Sequence, residues 1–318
     1  MNKSNQAISV GISSCLMGMK VRHDGGHKNF GFAMNNLKPY FNFETFCPEM
    51  AAGMPVPRPA IHQIKTPSGI RLVDTKHHKL DVTDAIINNA KQPIEAMSHL
   101  AGYILKKDSP SCGMERVRVY NHKGQPEKTG IGIFTKMLSD TYPNLPIEEE
   151  GRLMDPVLRE NFVERVFTYQ RWANFSAAGH TVQGLIAFHT QHKFSVLSHN
   201  EVSYRNLGKL VAKARNNNLA TSCEQYINEV MCTLKQPANR KTHTNVLMHL
   251  MGYFKSTTSS EEKRELRIIF DNYRLGMIPL IVPITMLKHY LNRTSQSYLM
   301  NQTYLNPYPN ELSLRNSL

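Results

Sequence analysis

The chain has 318 residues with a hydrophobic content of 41%, and its 38 Lys and Arg outnumber 25 Asp and Glu to give a formal net charge of +13. This length and composition predict a soluble globular protein with two domains. The longest apolar stretch, residues 276–287, is far shorter than the roughly 20 residues that cross a bilayer, so we expect no transmembrane helix.

The N-terminal segment and the charge give the expected location and partner. Residues 7–15, AISVGISSC, end as a lipoprotein cleavage site does, but the apolar part is short and broken by Ser and Gly. We therefore predict a first β-strand and a cytoplasmic protein. The positive charge favours a polyanionic partner, and the excess of Lys and Arg is larger in residues 173–318 than in residues 1–172. A generally basic surface would have the same composition, and no obligate protein partner is evident.

Short β-like runs alternate with helix-like runs in the first half of the chain. Strands are predicted at 6–13, 41–46, 101–107 and 144–151, and helices at 30–41, 81–100 and 129–143. This alternation indicates an α/β domain, with a mostly parallel, Rossmann-like sheet in a three-layer arrangement. In such sheets, ligands bind beyond the carboxyl ends of the strands.

The second half shows helical patterns only. A strong helix start at Asp155 and Pro156 predicts a joining helix over 155–172, which we place in a first domain of residues 1–172. Residues 173–318 are then expected to form an all-α domain. Its helices are predicted at 182–199, 203–217, 222–235, 242–256, 260–274 and 282–293, followed by an irregular tail from about residue 294.

Three of the five cysteines follow predicted strands. Cys15, Cys47 and Cys112 come after the first, second and third strands, so a parallel sheet would bring their thiols to one edge. Cys223 and Cys232 are nine residues apart on one helix, which points them in opposite directions, and they are expected to be ordinary apolar residues.

A site with three thiolates has more than one interpretation. A structural zinc ion normally takes four protein ligands, whereas a cluster or a catalytic metal can keep one position open for a substrate. Three unrelated buried thiols remain the alternative.

The residues around these cysteines resemble a known family. The motifs are Cys15 with Asp24-Gly25-Gly26, Cys47-Pro48-Glu49 through Pro57-Arg58-Pro59, and Ser109-Pro110-Ser111-Cys112-Gly113. Together they resemble the thiouracil desulfurase (TudS-type) family over residues 8 to about 150. Residues 188–200, 204–212, 242–255 and 273–290 resemble the helical YbgA-type domain. The fusion of the two resembles the bacterial tRNA 4-thiouridine desulfidases.

This resemblance implies a cofactor, an activity and a partner. The cofactor is a 4Fe-4S cluster held by Cys15, Cys47 and Cys112, whose fourth iron binds the sulfur of a thiocarbonyl pyrimidine. The activity is hydrolysis of 4-thiouridine to uridine without net redox change, with tRNA as the partner. Two alternatives stay open, namely a desulfurase of free thiouracil or thionucleotides and a non-enzymatic iron–sulfur sensor that binds nucleic acid.

Several side chains near the cysteines are candidates for the chemistry. Glu49, the carboxylate nearest to a ligand, is expected to activate water, with a structural role as the alternative. Ser109 is the second catalytic candidate, with turn capping as the alternative, and Ser111, Asp24 and Arg58 are weaker candidates for substrate contact. The family's first motif has Tyr before Asp-Gly where this chain has His23, which puts an aromatic contact with the base in doubt.

The helical domain contains candidate phosphate contacts and a histidine pair. The basic residues are Arg205, Lys209, Lys213, Arg240 and Lys241, and solvated helix faces would look the same. His189 and His192 lie three residues apart on one helix, but no carboxylate or cysteine accompanies them, so we favour hydrogen-bonded packing or phosphate contact over a metal site.

Overall fold

The computed structural model of the chain describes residues 8–254, 258–292 and 297–318. It divides into two compact units, Met1–Met154 and Asp155–Leu318. The division lies before the joining helix rather than after residue 172, because that helix packs against a helix and the last turn of the second unit.

The first unit contains eight strands and three α-helices among the described residues. The strands are β1 (Ile8–Ser13), β2 (Phe41–Phe46), β3 (Ile61–Thr66), β4 (Gly69–Asp74), β5 (Tyr103–Leu105), β6 (Val117–Tyr120), β7 (Pro126–Gly130) and β8 (Ile147–Glu149). The helices are α1 (Pro48–Ala51), α2 (Thr83–Glu95) and α3 (Ile133–Thr141), with short turns at Ser14–Met17, Ala33–Leu37, Ala96–His99 and Arg152–Met154.

Four strands form the predicted parallel sheet. Their order is β2-β1-β5-β8, and every neighbouring pair is parallel. The α/β fold with a mostly parallel sheet is therefore confirmed. Residues 6 and 7 of the predicted first strand lie outside the described residues, and only residues 31–37 of the helix predicted at 30–41 are helical.

A second sheet was not predicted from the sequence. Its order is β4-β3-β6-β7, with β3 and β6 parallel and the outer pairs antiparallel. The two antiparallel pairs are hairpins, turned at Pro67-Ser68 and around Gly124, whose φ of 73° suits glycine.

The described residues of the second unit form helices and turns without a strand, as predicted. The helices are α4 (Pro156–Ala177), α5 (Val182–His199), α6 (Glu201–Lys213), α7 (Leu219–Leu234), α8 (Arg240–Met251), α9 (Ser260–Arg274), α10 (Ile281–Asn292) and α11 (Ser297–Met300). The Asp155 carboxylate caps α4 by accepting hydrogen bonds from the amides of Val157 and Leu158. Residues 255 and 256 of the helix predicted at 242–256, residue 293 of the helix predicted at 282–293, and residues 294–296 of the predicted tail lie outside the described residues.

A buried polar network accompanies the apolar core of the second unit. The Arg315 guanidinium donates to Glu160 at 3.0 Å, and His199 Nε2 lies 3.3 Å from Glu164 Oε2. Burial raises the pKa of Glu164, but the hydrogen bond and charge of His199 outweigh it and hold that pKa well below its usual range. For His199, burial lowers the pKa and the contact with Glu164 reverses the direction. The two groups form a buried ion pair.

None of the helices in the described ranges combines the length and apolarity that crossing a bilayer requires.

Candidate active site

A cavity of about 380 Å³ lies in the first unit at the carboxyl ends of β1, β2 and β5. Its lining contains the three cysteines that the sequence selected, Cys15, Cys47 and Cys112. Cys15 lies in the turn after β1, and Cys47 directly follows β2 as the residue before α1. Because β2, β1 and β5 are parallel neighbours, their carboxyl ends share one edge of the sheet, and this brings the cysteines together.

All three thiols are free, and their surroundings oppose ionisation. Burial, followed by the charge of Cys47, raises the pKa of the Cys15 thiol to about 11. Burial, followed by the charges of Cys47 and Glu49, raises the pKa of Cys112 well above its usual value. Burial also raises the pKa of Cys47, against a hydrogen bond from the Met50 amide. A bound metal cation would offset both burial and mutual repulsion.

The described residues contain no group of three or more His, Cys, Asp or Glu side chains placed to hold a metal ion. Cys223 is buried and Cys232 exposed on α7, as expected for opposite faces of one helix.

Glu49 enters the cavity from the first turn of α1 and is held by two neighbours. Arg58 donates to Glu49 Oε2 from Nε at 2.9 Å and from Nη2 at 2.6 Å. Ser111 Oγ donates to Oε1 at 2.9 Å. The side chain of Glu49 is 15% exposed and that of Arg58 only 2%. The carboxylate therefore faces the cavity in a fixed orientation.

Arg58 and Ser111 were both weak candidates for substrate contact. In the structure, their main contact with the site is a hydrogen bond to the Glu49 carboxylate. Arg58 lines the cavity but also donates to the carbonyl oxygens of Val21 and Pro55. Ser111 is fully buried. Their positions favour holding the carboxylate in place.

Ser109 lines the cavity and caps the loop that carries Cys112. Its Oγ accepts hydrogen bonds from the amide of Cys112 at 3.1 Å and from that of Ser111 at 3.3 Å. The capping role considered from the sequence is present, and the hydroxyl proton of Ser109 remains to be donated elsewhere.

Residues that the sequence analysis did not single out also hold the loop that carries Cys112. Thr135 Oγ1 donates to the Cys112 carbonyl at 2.7 Å, and Gln63 Nε2 donates to the Pro110 carbonyl at 2.9 Å. A Cβ at Gly132 would lie 2.5 Å from the Ser111 carbonyl oxygen, so the loop needs glycine there. The Gly-rich stretch 130–132 was the available signal for this close approach.

Lys106 and Lys107 also line the cavity, and neither was selected from the sequence. Lys106 Nζ pairs with Glu150 at 2.6 Å, and the other oxygen of Glu150 accepts from the Lys107 amide at 2.6 Å. This buried carboxylate therefore fixes the strand end that leads into the Ser109 loop.

Asp24 is not one of the described residues that line the cavity. Its exposed carboxylate pairs with Arg22 at 3.3 Å and accepts from the Gly26 amide at 3.0 Å. Asp24 therefore shapes the loop, while the neighbouring His23, which stands where the family pattern has Tyr, does line the cavity.

The candidate phosphate contacts of the second unit differ in their availability. Arg205 pairs with Glu201, and Arg240 donates to the carbonyl oxygens of Tyr273 and Ile278. In contrast, all three lysines of this set are exposed. These are Lys209, Lys213 and Lys241.

The histidine pair of α5 is packed. His192 Nδ1 donates to the Phe188 carbonyl at 2.8 Å and its ring stacks on that of Phe188, while His189 Nδ1 lies 3.3 Å from the Tyr226 hydroxyl. These contacts agree with the predicted packing role.

Comparisons with known proteins match each half of the chain separately. Residues 10–150 match the family described as 2-thiouracil desulfurase, and residues 193–309 match a family of proteins of unknown function, DUF1722. The chain is 35% identical over 154 residues to an uncharacterized protein, YbgA, of Escherichia coli K12, a match that covers 48% of this chain and 91% of that protein. A solved structure, a [4Fe-4S]-dependent thiouracil desulfidase TudS, is 27% identical over 46% of this chain and 93% of its own, with a TM-score of 0.37.

Proposed function

This chain joins a 2-thiouracil desulfurase domain to a domain that belongs to the YbgA family, and we propose that it is an iron–sulfur-dependent desulfidase that converts 4-thiouridine in tRNA to uridine. The observation that carries the proposal is the convergence of three free cysteines and one fixed carboxylate on a single cavity.

The three thiols of the cavity are the type of donor that an iron–sulfur cluster takes, and a cluster needs its ligands on separate irons rather than around the single ion for which the described residues hold no group. Thiolates are the ligands that such clusters take, and Cys15, Cys47 and Cys112 would hold it. Three protein ligands rather than four would leave one iron without a cysteine. When bound, the cluster would supply a Lewis acid for the sulfur of a thiocarbonyl group.

Glu49 is the group that would take a proton from the attacking water. Its Oε2 accepts both hydrogen bonds from Arg58, and its Oε1 accepts one from Ser111. Because each carboxylate oxygen has two lone pairs, one lone pair of Oε1 remains to accept from water in the cavity. Proton transfer at that atom would assist the exchange of sulfur for oxygen, with sulfide as the other product.

Ser109 would orient the pyrimidine. Its oxygen already accepts from two backbone amides, so its hydroxyl proton is left to donate to a ring or carbonyl atom of the substrate. A cavity of about 380 Å³ is at the smaller end of ordinary ligand sites, which suits one base. A base within a folded RNA must leave its stack to enter it.

The choice of tRNA rests on the second domain and on charge. The net charge of +13 favours a polyanion, and the exposed Lys209, Lys213 and Lys241 can contact phosphates. The test is to incubate the cluster-loaded full chain anaerobically with bulk thiolated tRNA and to follow the near-ultraviolet thiouridine band. Loss of the band supports the proposal.

A second candidate is a desulfurase of free thiouracil or thionucleotides, which the family description favours. Turnover of the free base without loss of the tRNA band would select this candidate. A non-enzymatic sensor would keep its function in Glu49→Ala, whereas we expect this variant to keep the cluster and lose turnover.

A further inference from the structure

A second cavity, of about 290 Å³, adjoins the cysteine cavity in the first unit. The two share Lys107 and Asp108 in their linings. The remaining lining of the second cavity comes mainly from strand β6 with the turn before it, and from its neighbour β7. The full set is Lys107, Asp108, Glu115, Arg116, Arg118, Lys128, Glu149 and Arg152.

Most cations of this cavity have no acidic partner within the described part of the chain. The side chains of Lys107, Arg116, Arg118 and Lys128 make no hydrogen bond or ion pair there. Arg152 is the exception, since it pairs with Glu115 at 2.9 Å and with Glu148 at 2.6 Å.

The acidic residues of the cavity are largely engaged elsewhere. Glu115 is neutralised by Arg152, and Glu149 accepts from the Met114 amide at 2.8 Å. Burial raises the pKa of Glu149, and hydrogen bonds from the amides of Met114 and Glu115 oppose this shift. Asp108 makes no such contact, and the lining as a whole holds five cations against the three carboxylates of Asp108, Glu115 and Glu149.

Two of these cations lie directly opposite each other. Arg118 of β6 pairs with Lys128 of β7 in the antiparallel register, so both side chains lie on the same face. Val117 and Val119 are buried, so Arg118 lies on the other face of its strand. Like charges at opposed positions destabilise a sheet, and a bound anion would relieve this repulsion.

We propose that this cavity binds a backbone phosphate of the RNA substrate next to the nucleotide that enters the cysteine cavity. The inference rests on the proposed function, and it places an RNA contact on the desulfurase domain itself. Because Lys107 and Asp108 line both cavities, a phosphate held by Arg118 and Lys128 is a neighbour of the base under attack. A phosphate monoester of a free nucleotide has the same chemistry and is the competing source.

The test uses the cluster-loaded full chain with Arg118→Gln and Lys128→Gln combined. The matched control is Lys91→Gln with Lys123→Gln, because these exposed lysines of the same unit line neither cavity. Binding of thiolated tRNA is measured over a range of salt concentrations. Steady-state turnover is measured on that tRNA, on 4-thiouridine monophosphate and on 4-thiouracil.

We expect the Arg118/Lys128 variant to lose about 0.7 to 0.9 from the slope of log affinity against log salt, the value for one phosphate contact. Its kcat/KM on tRNA should fall at least about tenfold more than on the free base, since each lost phosphate contact weakens RNA binding alone. The control should keep the wild-type slope.

A wild-type slope in the Arg118/Lys128 variant overturns the inference, and so does an equal loss in the control. A defect confined to the monophosphate, with normal tRNA binding, rejects RNA as the source of the phosphate. If wild-type protein binds tRNA without desulfurating it, the proposed function fails, while a loss of slope in the variant still supports the phosphate site.

Discussion

The hydrogen bond from Ser111 to Glu49 gives a sharp test of the proposed water-activating group. Ser111 is fully buried and does not line the cavity, and its hydroxyl donates to Glu49 Oε1 at 2.9 Å. Ser111→Ala removes this bond while Arg58 still holds Oε2. Oε1, the atom assigned to accept from water, then loses its fixed position.

The expected loss follows from the strength of such a bond. A hydrogen bond to a charged group contributes about 1.5 to 3 kcal/mol, which corresponds to a fall in kcat of roughly 10- to 150-fold. KM should change little, because the substrate does not touch Ser111. The assay is steady-state desulfuration of 4-thiouracil and of thiolated tRNA, with iron and sulfide content measured on the same samples.

Ser68→Ala is the matched control, because it removes an exposed hydroxyl at the turn between β3 and β4. It should behave as wild type. A Ser111→Ala enzyme with full cluster content and a kcat within about twofold of wild type would refute the assignment of Glu49 Oε1, since a bond of about 1.5 kcal/mol must show in the rate.

Two further predictions concern the second unit and use the fluorescence of Trp172, the single tryptophan of the chain, which is buried in that unit. His199→Ala leaves the buried carboxylate of Glu164 without its partner and should lower the free energy of unfolding by about 3 to 5 kcal/mol. The measurement is the urea midpoint, which should fall, and an unchanged midpoint contradicts the ion pair. Burial, then the charge of Arg171, lowers the pKa of His192 to about 3. Between about pH 6.5 and 3 the unfolded chain therefore binds more protons than the folded one, and the free energy of unfolding falls as the pH falls through this range. His192→Phe should therefore make the loss of stability between pH 6 and 4 shallower, and an unaltered slope counts against a buried neutral imidazole.

The positions of the cysteines could be predicted because they depend on a regular rule. Parallel strands end at one edge, so residues directly after β1 and β2 must lie close together, and Cys112 follows the neighbouring β5. The sequence alone suggests a shared site here, and the structure places all three thiols in one cavity.

The second sheet could not be predicted in the same way. Its central pair, β3 and β6, joins segments more than 50 residues apart, and its strands carry many polar residues at half-buried or exposed positions. Strand propensity in such segments depends on cross-strand neighbours that the local sequence does not show.

The roles of the side chains around Glu49 could not be predicted, because they depend on how loops that are distant in the sequence meet in the fold. The sequence suggested Arg58 and Ser111 as substrate contacts, but the chain folds so that both meet the carboxylate, from positions 9 and 62 residues away. Gln63 and Thr135 were missed for the same reason, since each holds the Cys112 loop from a distant strand or helix.

The most direct test of the account is the anaerobic iron and sulfide content of the full chain, measured with turnover in cysteine variants. Wild type and Cys232→Ser, which changes an exposed cysteine outside the cavity, should each hold about four irons and four sulfides. Cys15→Ser, Cys47→Ser and Cys112→Ser should each lose the cluster and the desulfuration of thiolated substrate. Full cluster content with normal turnover in any of these three variants would contradict the account.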